Sequence, residues 1–166
     1  MKKRLIQALG FLAAAMMLST QSLGYDQQLA QEYNAMFKPV VGAKAGKFLH
    51  LIKPDQFVER VRKGEEFTTV DIRTPGETRF FTGNLPGHLT IPLSELFEDE
   101  NLARLPEQGN IVIFCKSGTR ATAAATALRS IGFKQTYVMK GGLQGLSAYM
   151  GPKEANGPKK TKTTAR

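Results

Sequence analysis

Four consecutive apolar residues, Ile111-Val112-Ile113-Phe114, run straight into Cys115 and a short polar loop, Lys116-Ser117-Gly118-Thr119-Arg120. The alanine-rich stretch Ala121–Arg129 follows at once. A short run that is apolar at every position reads as a buried strand, and strand, loop and helix in that order point to an α/β layer with a largely parallel sheet. Such sheets place their sites outside the carboxyl ends of the strands, which is where Cys115 falls. The rest of the chain keeps the alternation. Strands are expected at Phe48–Ile52, Phe67–Ile72, Leu89–Ile91 and Thr136–Met139, and helices at Pro54–Lys63, Leu93–Leu105 and Gly142–Met150. Pro54 near the start of its helix and Gly64 just past the end are the expected punctuation. The Leu93–Leu105 helix should break near Glu98-Asp99-Glu100. No internal repeat is visible, so this is one module.

Cys115 is the only cysteine in 166 residues. No internal disulfide can form, and stability must come from packing. The loop after Cys115 brings backbone N–H groups and the positive end of a helix dipole to the sulfur. A free thiol near pKa ~8.5 falls to ~3.5–7.5 in such a place beside Lys or Arg, and becomes a nucleophile at neutral pH. The plainer reading is an inert cysteine at a strand end, since free Cys is often buried. Lys116, Ser117, Gly118 and Arg120 weigh against it, because polar and cationic groups are costly around a core sulfur.

The loop Cys115-Lys116-Ser117-Gly118-Thr119-Arg120 resembles the active-site loop of rhodanese-type sulfurtransferase domains. Three more segments resemble that family in its own order. They are Val70-Asp71-Ile72-Arg73-Thr74-Pro75-Gly76-Glu77, the Gly/Pro-rich Gly83–Leu93, and Tyr137–Leu143 with its paired glycines. The resemblance covers about Phe48 to Tyr149. The sequence departs from the family in the Gly/Pro segment: Asn84 stands at the usual histidine, His88 at the alanine, and Thr90 at the asparagine before Ile-Pro. No role is carried over to that histidine.

The resemblance implies a rhodanese-like three-layer α/β domain, with a largely parallel central sheet flanked by helices. It also implies sulfur transfer in two steps. The Cys115 thiolate takes the outer sulfur of a donor such as thiosulfate, and a thiol or cyanide then takes it from the resulting persulfide. No cofactor is required beyond that covalent persulfide. Lys116, Ser117, Gly118, Thr119 and Arg120 would bind the substrate, with backbone amides cradling negative charge. Arg120 has a second reading, as a brace paired with a carboxylate. Arg73 has two readings as well: it recruits an anion at the pocket rim, or it pairs with Glu77 while Asp71 ties down loop amides. His50 and His88 are too isolated to hold a metal.

Two rivals stand beside this reading. A cysteine-dependent phosphatase needs five residues between its cysteine and arginine, whereas four separate Cys115 from Arg120, and Phe114 stands where a histidine is usual. The second rival is a non-enzymatic module that binds or senses reactive sulfur, or docks a partner, since fold alone does not settle function.

The charge lies at the ends. Of the net +9, three charges sit in Lys2-Lys3-Arg4 and four net in residues 151–166, so the body carries only +2. A nucleic-acid partner is therefore not expected. The expected partners are a small anionic sulfur donor and a thiol or cyanide acceptor, with a protein acceptor left open. Residues 1–24 read as an export signal, a basic start followed by the apolar stretch Leu5–Leu18 and small residues at Ser22-Leu23-Gly24. That places the mature chain in the periplasm, with an uncleaved anchor as the other reading. Residues 25–47 form an amphipathic helical lead-in with Leu29, Tyr33, Met36 and Phe37 on one face, residues 48–150 the domain, and residues 151–166 a basic disordered tail. For that tail a solvated state outweighs membrane contact.

Overall fold

The computed structural model describes residues 24–157. The expected leader, except for Gly24, and residues 158–166 lie outside the described residues.

Five strands form one sheet: β1 (Leu51–Ile52), β2 (Thr68–Asp71), β3 (His88–Thr90), β4 (Ile111–Phe114) and β5 (Thr136–Met139). Their spatial order is β1-β5-β4-β2-β3 and every pairing is parallel. The apolar run before Cys115 is thus the central strand. Helices α1 (Gln27–Phe37), α2 (Pro54–Arg62), α5 (Thr119–Ser130) and α6 (Gly142–Tyr149) are the longer ones. Single turns α3 (Pro75–Thr78), α4 (Asp99–Leu102) and α7 (Pro152–Ala155) complete the set.

Period-two alternation along β4 splits its side chains between two cores. Ile111 and Ile113 pack with Val70, Ala125 and Leu128 on the α5 side. Val112 and Phe114 pack with Phe57, Met139 and Leu146 on the other. Cys115 continues the first series and joins the α5-side core at 1% exposure. Strand parity therefore aims the sulfur under the start of α5.

The N-terminal lead-in is a real helix. Asp26 caps α1 by accepting from the Leu29 amide at 3.0 Å. The helix lies alongside α5, and the Phe37 ring packs at a tilt against Phe48 at 4.6 Å between ring centres. None of its residues is buried. The end of the lead-in is a 3₁₀ segment, Gly42–Lys47.

Two expectations change. Residues 93–105 form no long helix; only Asp99–Leu102 is helical. The chain instead crosses the surface in i→i+3 turns, such as Glu95 N to Pro92 O and Glu98 N to Glu95 O, and Leu96 and Leu105 drop into the core as single anchors. Pro92 and Pro106 bound the segment, and the acids Glu98, Asp99 and Glu100 form the N-cap and first turn of α4, where the helix dipole favours them, so a new helix starts there. The expected disordered tail from Gly151 is ordered at its start: Pro152–Ala155 makes one turn, held by Arg62 donating to the Glu154 carbonyl.

Candidate active site

The loop after β4 closes around the Cys115 sulfur. The Gly118 amide donates to Sγ at 3.2 Å. Burial pushes the Cys115 thiol up, but the backbone N–H groups of Ala121, Ser117, Gly118 and Arg120 together outweigh it and hold the thiol below its usual value. A thiol normally hidden in a core would titrate upward, so this sulfur sits in an anion cradle and not in a plain apolar site. Gly118 makes the cradle possible. Its φ of +99° starts α5 with a left-handed residue, and an added Cβ would crowd the Met139 carbonyl at 3.3 Å.

Arg120, in the first turn of α5, makes a two-pronged pair with Glu77, Nη1 to Oε2 at 2.8 Å and Nη2 to Oε1 at 2.7 Å. The same guanidinium lies close enough to Cys115 for the sulfur's charge to raise its own proton affinity, after the larger effect of Glu77. The bracing and the electrostatic roles of Arg120 therefore coexist. Glu77 is held by Arg120 first and by the Thr74 amide second, which take its pKa down to about 2.

Glu77 reaches this position because Thr74-Pro75-Gly76-Glu77 is a capping box that nucleates α3. The Glu77 amide donates to Thr74 Oγ1 at 3.3 Å, while Glu77 Oε2 accepts from the Thr74 amide at 2.9 Å. The sequence reading missed this helix, although Thr-x-x-Glu with Pro at the first helical position signals it.

Asp71 and Arg73 form a different unit. Arg73 Nε and Nη2 bind the fully buried Asp71 carboxylate at 2.9 and 2.6 Å. Its remaining donors go to the carbonyls of Glu77 at 3.3 Å and Phe81 at 2.6 Å. The expected Arg73–Glu77 ion pair is thus corrected: Glu77 gives Arg73 only a main-chain carbonyl, and its carboxylate goes to Arg120. Asp71 ties down one loop amide, that of Arg73, at 3.1 Å. With 5% exposure and bonds to Asp71 and two main-chain carbonyls, Arg73 fixes the backbone of residues 74–81.

Lys116, Ser117 and Thr119, in the loop that follows Cys115, are open to solvent. The two hydroxyls stand 3.5 Å apart. A second glycine device locks the loop from the other side. Leu143 and Gln144 amides donate to the carbonyls of Cys115 at 2.8 Å and Lys116 at 3.1 Å. His88 and Thr90, which depart from the family pattern, lie away from the loop on β3; His88 stacks on Phe114 and contacts Thr90 Oγ1 at 3.2 Å.

Comparison with known proteins gives the family. The rhodanese-like domain family matches residues 53–149, more than half of the chain, and the chain belongs to that family. It is 29% identical over 101 residues to the probable adenylyltransferase/sulfurtransferase MoeZ of Mycobacterium tuberculosis, covering 61% of this chain and 25% of that protein. It is 28% identical over 92 residues to a sulfurtransferase of Allochromatium vinosum, covering 55% of this chain and 82% of that one. The crystal structure of a rhodanese-related protein from Thermoplasma volcanium superposes with a TM-score of 0.52 at 26% identity, over 62% of this chain and 95% of that one. The chain thus spans a quarter of the length of MoeZ. Sulfur transfer is the activity in the names of these two relatives. Helix α1 and the 3₁₀ segment lie outside the matched residues.

Proposed function

We propose that this protein moves sulfane sulfur from an anionic donor such as thiosulfate to a thiol or cyanide through a persulfide on Cys115. The observation that carries the reading is the sulfur itself, which accepts from the Gly118 amide at 3.2 Å at the start of α5, where the loop backbone holds the thiol below its usual value. In the first step the Cys115 thiolate attacks the outer sulfur of thiosulfate. A new S–S bond forms, the bond to the sulfonate sulfur breaks, and sulfite leaves with the electron pair. The persulfide then carries the negative charge that the thiolate carried, and the same amides are in place to stabilise it without rearrangement. In the second step an acceptor attacks the outer sulfur and Cys115 departs as a thiolate. No proton has to be removed from the cysteine during transfer, so no partner base is needed.

The expected export leader makes this a periplasmic activity, and the protein lacks a second cysteine with which its persulfide would condense. Intact-mass spectrometry of the protein purified from the exported fraction tests both points. Thiosulfate should add one sulfur atom, cyanide should remove it, and Cys115→Ser should gain none. The same spectrum should show a chain starting at Tyr25. A folded protein with a free thiol that gains no sulfur from thiosulfate, polysulfide or a persulfidated thiol would overturn the reading in favour of a binding module.

A further inference from the structure

Beside the cysteine loop lies a pocket of about 370 Å³, lined by Arg73, Glu77 and Phe81 after β2, by Lys116 of the loop, and by Leu143, Gln144 and Ser147 of α6. Thiosulfate and cyanide need far less room; pockets of this size match organic ligands. The walls are tied to the backbone around the cysteine loop. Phe81 is 55% exposed, yet its carbonyl is clamped by the buried Arg73, so this aromatic ring is presented on fixed backbone. Gln144 is tied by its own amide to the Lys116 carbonyl, one residue from Cys115.

The charges leave one vacancy. Arg73 is neutralised by Asp71 and Glu77 by Arg120, whereas Lys116 makes no ion pair among the described residues. The pocket therefore carries one uncompensated positive charge above an apolar wall, which complements one anionic group on an apolar body.

Resting on the sulfur-transfer reading, we propose that this pocket selects the acceptor: an organic thiol carrying a carboxylate and an apolar group, with Phe81 and Leu143 packing the body and Lys116 and Gln144 taking the carboxylate. The acceptor thiolate attacks the outer sulfur of the Cys115 persulfide, an S–S bond to the acceptor forms as the one to Cys115 breaks, and Cys115 leaves as a thiolate. The acceptor's own thiol proton has gone to solvent beforehand, so no oxidant or reductant enters.

The test loads the full-length exported protein with sulfur from thiosulfate and follows its discharge by mass with four alkyl thiols: 2-mercaptoethanol, 3-mercaptopropionate, 2-phenylethanethiol and 2-benzyl-3-mercaptopropionate. The last, bearing both groups, should discharge the persulfide about tenfold or more faster than either single-feature thiol. Phe81→Ala should erase the benzyl advantage and Lys116→Gln the carboxylate advantage. Both side chains are exposed, so neither change threatens the fold. Rates that follow thiol basicity alone, in the wild type and both variants, would overturn the proposal while leaving sulfur transfer intact. If no sulfur loads, that reading fails by itself, and the pocket is judged by binding. Titration of 2-benzyl-3-(methylthio)propionate into Cys115→Ser, followed by NMR, should saturate with a Kd of about 1 mM or below and weaken about tenfold in Phe81→Ala. Absence of saturation overturns the pocket.

Discussion

Gly142 packs directly against the carbonyl of Cys115. A Cβ at Gly142 would overlap that oxygen and come within 2.7 Å of the Lys116 carbonyl carbon, and its φ of +59° is left-handed besides. The paired glycines of the sequence are therefore part of the nucleophile's support, although they are 26 and 27 residues away from it along the chain.

Gly142→Ala should cost about 2 kcal/mol or more, from positive φ and from displacement of the loop carbonyls. Gly76→Ala is the control, because a Cβ there meets only Thr74 Oγ1 at 4.0 Å. Urea unfolding of the two variants should separate them, and Gly142→Ala should also lose persulfide loading. Equal midpoints would show that the loop and the start of α6 are not tightly packed.

The acidity of Cys115 is testable without any substrate. Alkylation by iodoacetamide across a pH series should reach half its plateau at lower pH in the folded protein than in urea, because the loop amides favour the thiolate. The linkage follows in sign. A group whose folded pKa is depressed adds stability above its unfolded pKa, and that increment disappears as pH falls through the folded value. Relative to Cys115→Ser, the wild type should therefore gain stability as pH rises from neutral toward about 9. A gain toward acid would contradict the amide cradle.

The Arg120–Glu77 brace should survive mild acid. Glu77 is held from its usual 4.5 down to about 2, so the stabilisation it gives is complete above about 4.5 and is lost only as pH approaches 2. Sulfur loading should show no step between about pH 6 and about 4 that belongs to a carboxylate. Glu77→Gln keeps the size but removes the charge, and should lower the loading rate by about tenfold. Arg120→Ala should lose more with thiosulfate than with a neutral polysulfide donor; equal losses would make it a brace alone.

Removing Arg73 should do more damage to the fold than to recognition. Arg73→Ala strands the fully buried Asp71 carboxylate and frees the carbonyls of Glu77 and Phe81, for a cost of about 3–5 kcal/mol. The double variant Asp71→Asn/Arg73→Met should recover part of that loss. If Arg73→Ala were as stable as the wild type but weak toward thiosulfate, Arg73 would belong to the binding set after all.

The central strand, the cysteine loop and α5 were legible because one local pattern specifies all three: an unbroken apolar run, a polar turn with Gly118, and good helix formers after it. Thr136–Met139 was legible for a similar reason, a short β-prone run closed by the paired glycines. Pairings were harder. Spacing of four between Arg73 and Glu77 suggests a helical neighbour pair, but α3 starts only at Pro75, so Arg73 is on extended chain and folds back to Asp71. Glu77 then meets Arg120 only because β2 and β4 lie side by side, with Asp71 opposite Phe114, a register the linear sequence does not state. The turns of residues 93–105 failed differently: on a continuous helix Leu96 and Leu105, nine residues apart, would face opposite ways, whereas the turns let both reach the same core.

The sheet order has a last consequence, for time rather than for space. Cys115 ends the middle strand, its brace Glu77 follows β2, and the glycine that seats its carbonyl follows β5. The parallel pairings that bring these strands together are long-range crossovers, which fold slowly compared with local contacts. Until they close, the newly made chain carries an ordinary, sluggish thiol. The thiolate-favouring loop and the native sheet arise together, so the change in the Cys115 alkylation rate at neutral pH would serve as a clock for the final step of folding.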